Sequence, residues 1–99
     1  NILTSDFISQ YLYVMKDNST LKKLPKPGEG TLSLRLLPLK DSLRAKTGTL
    51  SNVSSIAGYL TSKSGKDYTF CIIDSDMKLT PYEKKIIEDY LIKEAYLKL

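Results

Sequence analysis

Four consecutive residues, Lys46, Thr47, Gly48 and Thr49, are the ones in this sequence best suited to chemistry. The Lys46 ammonium supplies charge, and Thr47 and Thr49 supply directional hydrogen bonds. Gly48 removes a Cβ where a ligand backbone could lie close. A backbone N–H at Thr49 could point at a developing oxyanion. This set suits binding a carboxylate and helping to move a proton. A tripeptide such as Lys-Thr-Gly is too short to be specific, so the weight falls on its setting.

Composition narrows the chemistry. With 99 residues and 41% hydrophobic content, the chain suits one small globular domain and argues against disorder. A formal charge of +4 is compatible with nucleic acid, an anionic wall polymer or a membrane surface and selects none of them. The basic residues are scattered, never more than two in a row, which fits a solvated surface. There is no histidine, so a Ser-His-Asp triad, a Cys-His dyad and histidine-ligated zinc are excluded within these residues. The sequence calls for neither a metal nor a cofactor. The one cysteine, Cys71, lies in the apolar run Phe70-Cys71-Ile72-Ile73 and reads as a buried, inert thiol. No apolar run approaches the length of a membrane span.

The elements that must position Lys46 to Thr49 follow from local pattern. Thr4 or Ser5 can cap a helix from Asp6, whose residues Phe7, Tyr11 and Met15, with Ile8 and Leu12, give one apolar face. Residues 18–30 are lysine-rich and punctuated by Pro25, Pro27, Gly28 and Gly30, and should form a surface loop. Residues 31–37 suggest a short helical turn that Pro38 stops. Residues 42–49 are the first strand, carrying Arg44, Lys46, Thr47 and Thr49 along one edge. Residues 53–62 are the second, apolar on both faces, and so covered on two sides. Lys63-Ser64-Gly65-Lys66 makes a hairpin turn. Residues 67–74 form the third strand, whose near-continuous apolar run places it centrally. Thr80-Pro81-Tyr82-Glu83 then combines a threonine cap, proline at the first helical position and a capping-box glutamate. That helix should run to about Leu97, with Tyr82, Ile86, Ile87, Tyr90, Leu91 and Ala95 as its buried stripe. Asp89–Lys93 and Glu94–Lys98 would pair along it, each worth about 0.3 kcal/mol. The expected fold is α+β: a three-stranded antiparallel meander with N- and C-terminal helices packed on one face.

The setting then carries a resemblance. Arg44-Ala45-Lys46-Thr47-Gly48-Thr49-Leu50-Ser51-Asn52-Val53-Ser54, followed by Ile56-Ala57-Gly58-Tyr59, resembles the class C low-molecular-mass penicillin-binding proteins, which are serine D-alanyl-D-alanine carboxypeptidases. Gly28-Glu29-Gly30-Thr31-Leu32, with Arg35 after it, resembles the segment preceding the motif in that group. Asn1-Ile2-Leu3-Thr4 resembles the tail of its Ser-x-Asn region. The resemblance covers nearly the whole chain and implies that residues 1–99 are one partial domain, the C-terminal part of a penicillin-binding domain. It implies that Lys46 joins a proton network near a serine nucleophile, that Thr47 and Thr49 hold the substrate's terminal carboxylate, and that the Thr49 amide forms half of an oxyanion hole. Gly48 would let the substrate backbone lie along the strand. Peptidoglycan stem peptides and β-lactams become the expected ligands, and the location extracytoplasmic, in periplasm or cell envelope.

The nucleophile itself is not found. Ser19-Thr20-Leu21-Lys22 and Ser75-Asp76-Met77-Lys78 satisfy Ser-x-x-Lys literally, but neither serine opens a helix inside a cleft. No Ser-x-Asn triplet occurs, and Asn1 is the one residue left that could belong to it. These residues alone should therefore be inactive, and the third strand, lacking its upstream neighbour, should offer an edge for a homodimer. Three rivals share parts of the pattern. A non-catalytic peptide-binding or assembly module would lack an upstream Ser-x-x-Lys; a β-lactamase-like hydrolase shares the motif. A nucleic-acid-binding domain ranks last, since Tyr59, Tyr68 and Phe70 sit in core-like runs and not among lysines.

Overall fold

The computed structural model describes residues 4–99. Helix α1 spans Ser5–Val14, and Thr4 is the cap, accepting a hydrogen bond from the Phe7 N–H at 3.1 Å. Its covered row is narrower than the sequence suggests. Leu12 is buried and Ile8 half-buried, whereas Phe7 and Tyr11 are exposed. Three short 3₁₀ turns follow, at Leu21–Lys23, Gly30–Leu32 and Leu37–Leu39. Pro38 sits inside the last of them instead of ending a helical turn before it, a place where its missing N–H costs nothing. The apolar density of this stretch is explained by Leu32, Leu36 and Leu39, all buried in the core.

Strands β1 (Leu43–Leu50), β2 (Val53–Thr61) and β3 (Asp67–Asp74) form the expected antiparallel meander, in the order β1-β2-β3. Ser51 and Asn52 alone connect β1 to β2, with Ser51 at φ 53°. The register sets Lys46 opposite Ala57, Gly48 opposite Ser55, and Ala57 opposite Cys71. β2 is therefore central, and β3, expected there, is an edge strand. Its apolar run reflects cover on its faces: Phe70 and Ile72 pack on the core, and α1 lies against the strand.

The helices, expected on one face, take opposite faces. Successive residues of a strand point to opposite sides. Ser54, Ile56, Gly58 and Leu60 of β2 are buried on the side of the C-terminal helix α2 (Pro81–Lys98), where Ser54 Oγ donates to Glu88. Tyr59 points the other way and donates its hydroxyl to Leu12 O of α1 at 2.7 Å. Burial pushes the Tyr59 phenol above its usual pKa, so that donor stays protonated.

The capping box of α2 is present in full: Glu83 N–H donates to Thr80 Oγ1 at 3.1 Å, and Thr80 N–H to Glu83 Oε1 at 2.8 Å. Its buried stripe is not the expected one. Tyr82 is 74% exposed and Tyr90 62%, and Ile86, Ile87 and Leu91 are exposed too. The buried row is Lys84, Glu88 and Ile92, with Ala95 packed at its end. The helix carries apolar residues around its whole circumference, so polar contacts set its phase. Lys84 Nζ donates to Asn52 O, and Glu88 meets Ser54 and Arg35. The hydrophobic core lies between this row and the sheet: Leu32, Leu36, Leu39, Leu43, Ala45, Ile56, Leu60 and Ile92. Among the described residues, no helix is long and apolar enough to cross a membrane.

Candidate functional site

The margin of β1 is built by alternation. Leu43 and Ala45 point into the core beneath α2 and are buried. Thr47 and Thr49 continue that row past the end of the core, where Thr47 becomes half-buried and Thr49 exposed. Lys46 and Gly48 occupy the other face with Arg44. None of the motif side chains is in the core, and all stand on extended strand.

Backbone pairing fixes which amides face outward. Thr61 N–H donates to Ser42 O at 2.7 Å, so even-numbered residues of β1 pair with β2. Ala45 N–H points the other way and donates to Pro25 O at 2.9 Å. The N–H groups of Thr47 and Thr49 lie on this same outer edge, in step with Ala45.

The hydroxyls are held from two directions. Thr47 Oγ1 lies 2.6 Å from Thr31 Oγ1, on the 3₁₀ turn Gly30–Leu32. Lys85 of α2 donates from Nζ to Thr49 Oγ1 at 3.2 Å. The Lys46 ammonium is exposed and folds back onto Thr47 O. Arg44, expected as a donor along the edge, is engaged elsewhere: its guanidinium donates to Lys22 O at 2.7 Å and ties down the preceding loop. Gly48 has a reason inside the chain. A Cβ there would come 2.8 Å from Ser55 Oγ on the paired strand.

Behind the threonines sits a part-buried ionic cluster centred on the buried Glu88. Arg35 Nη2 donates to Asp89 Oδ1 at 2.6 Å and to Glu88 Oε1 at 3.2 Å, and reaches Lys85 O at 3.4 Å. Glu88 Oε2 accepts from Ser54 Oγ at 2.7 Å. Burial works against the Arg35 charge, but Asp89 and then Glu88 outweigh it and raise its pKa. Because Arg35 takes Asp89, the expected Asp89–Lys93 pair is not among the ion pairs of the described residues, while Glu94–Lys98 forms at 3.1 Å.

Other sequence candidates stand apart. Ser19 is exposed in the turn after α1, and Ser75 is exposed just past β3. Asn1 lies outside the described residues. Cys71 is half-buried, and burial pushes its thiol pKa up, which fits an inert side chain. A cavity of about 680 Å³ opens at the far end of the sheet, among Tyr13, Arg44, Tyr59 and Tyr68, away from Lys46 to Thr49. Among the described residues no cluster of three acidic, histidine or cysteine side chains could hold a metal. Sequence reasoning missed Lys85. The Lys84-Lys85 pair reads as solvated surface, and only the helix phase separates a buried lysine from one beside Thr49.

The arrangement is similar to that of a solved protein. Penicillin binding protein 4 from Haemophilus influenzae, in a crystal structure complexed with a β-lactam, superposes with a TM-score of 0.75 at 25% sequence identity. The match covers 98% of this chain and 26% of that one, so the chain spans about a quarter of that relative. No curated protein matches the sequence. Residues 1–93 match the D-Ala-D-Ala carboxypeptidase 3 (S13) family, and the chain belongs to that family.

Proposed function

We propose that this chain forms one wall of a serine acyl-transfer site that cleaves D-Ala-D-Ala ends of peptidoglycan stem peptides. It does so as the C-terminal part of a longer penicillin-binding domain, outside the cytoplasmic membrane. The serine attacks the carbonyl of the scissile amide, the terminal D-alanine leaves as the amine, and water hydrolyses the acyl-enzyme. Upstream sequence supplies the serine. Lys46 contributes positive charge to the proton network around it. Thr47 and Thr49 bind the terminal carboxylate, the Thr49 N–H stabilises the oxyanion, and Gly48 lets the substrate backbone lie along β1 as an added strand. β-Lactams acylate the same serine.

The observation that carries this reading is the outer edge of β1. The amides of Thr47 and Thr49 face outward beside their own hydroxyls, while the strand's other edge is taken by β2. An extended peptide with an acidic end fits such a margin. A fluorescent penicillin tests it. The longer protein should be labelled at an upstream serine, and residues 1–99 alone should stay unlabelled. Labelling at Ser19 or Ser75 would overturn the assignment.

A further inference from the structure

We infer that Lys85 is a substrate-binding residue: its ammonium supplies the charge that holds the carboxylate of the peptide, or of a β-lactam, against Thr47 and Thr49. This rests on the function proposed above and adds a residue from a different element. The argument begins with hydrogen-bond capacity. Lys85 Nζ donates to Thr49 Oγ1, so a lone pair of that hydroxyl is occupied and its hydrogen is left to donate outward. Thr47 donates its hydroxyl hydrogen to Thr31 Oγ1, so the hydroxyl hydrogen left to offer at that point of the margin is the one on Thr31. The ammonium keeps two further N–H donors. Donors thus converge on the strand margin with a net positive charge, and the ligand that satisfies them is an acceptor-only anion of carboxylate type.

Lys46 is less suited to this role, because it occupies the opposite face of β1 and bends back onto Thr47 O. Lys85 is also free of competition. Among the described residues no carboxylate lies within ion-pair distance of it, although Glu88 and Asp89 follow on the same helix. Arg35 takes both of those acids and also donates to the Lys85 carbonyl. Arg35 is therefore a positioning residue: it removes rival anions and fixes the helical turn from which Lys85 projects.

The test measures acylation of the longer peptidase by benzylpenicillin and by its methyl ester, in which the carboxylate is masked. Lys85→Met keeps the aliphatic stem and should slow acylation by benzylpenicillin about tenfold, while the ester rate stays unchanged. Lys85→Arg should restore most of the benzylpenicillin rate. An equal loss with both compounds would assign Lys85 a purely structural role and overturn the inference, as would a Lys85→Met protein with an unaltered benzylpenicillin rate. If the unaltered peptidase reacts with neither compound, the proposed function fails first and takes this inference with it.

Discussion

Replacing Arg35 with methionine tests whether the ionic cluster under the strand margin holds the fold together. Methionine keeps much of the stem's volume and removes the guanidinium fork. Glu88, whose side chain is fully buried, would then keep Ser54 as its remaining described partner. Stranding a buried charge in this way costs about 3–5 kcal/mol. One offset is visible: Arg35 Nη1 is itself buried without a partner, at a cost of about 1–3 kcal/mol that the substitution relieves. The net loss should be about 2 kcal/mol. For a chain of this size that lowers Tm by about 8 °C or more. Thermal unfolding followed by circular dichroism at neutral pH reads the shift. Adding Glu88→Gln to Arg35→Met should return part of it, because a neutral amide is cheaper to bury than an unpaired carboxylate. A fall in Tm below about 4 °C would mean that the cluster contributes no more than a surface ion pair, and the reasoning fails.

Two further outcomes follow from the sheet. A Cβ at Gly58 would lie 2.0 Å from Arg44 O and 2.6 Å from Ala45 Cα, both backbone atoms, so Gly58→Ala must push β1 and β2 apart. It should cost about 3 kcal/mol, seen as a clear drop in the urea midpoint; an unchanged midpoint would show that the strands give way easily. At the other edge, Thr69, Cys71 and Ile73 direct their backbone groups away from β2, and Ile73 is exposed. Residues 1–99 alone should therefore associate through β3, giving a dimer or larger species by light scattering that Ile73→Lys weakens; a clean monomer would refute this.

Local signals were legible in the sequence. The alternation in β2, the bounds of β3 and the Thr80–Glu83 capping box depend on residues within a few positions of one another, and each stands where the pattern put it. The phase of α2 was not legible. With Tyr82, Ile87, Leu91, Ile92 and Tyr96 spread around the helix, apolarity alone could not decide which side faces the sheet. The deciding contacts join Glu88 to Ser54 and Arg35, and Lys84 to Asn52, all more than thirty positions away. β3 misled for a related reason: a run apolar on both faces signals cover above and below, which packed helices provide, and it carries no information on whether both edges are paired. The candidate site divides in the same way. Lys46 to Thr49 are consecutive and were visible, while Thr31 and Lys85 reach the strand only through the fold.

That division has a physical cause in what the proposed role of the β1 edge requires. A strand that is to accept an added peptide must keep its outward N–H groups free, so a second neighbouring strand cannot brace it. β1 has β2 on one side, and on the other the Ala45 N–H to Pro25 O bond, which lies before the motif begins. From Thr47 onward the bracing comes from the face of the sheet. Thr31 holds one hydroxyl and Lys85 the other. A single guanidinium connects these braces, since Arg35 follows Thr31 by one short turn and grips the α2 residues around Lys85. Apolar packing could hold α2 against the sheet equally well, but it could not set the rotation of one lysine to within hydrogen-bond reach of Thr49. The charged side chains behind this edge supply that directionality, so Arg35, Glu88 and Asp89 set the geometry of the strand margin that carries Lys46 to Thr49.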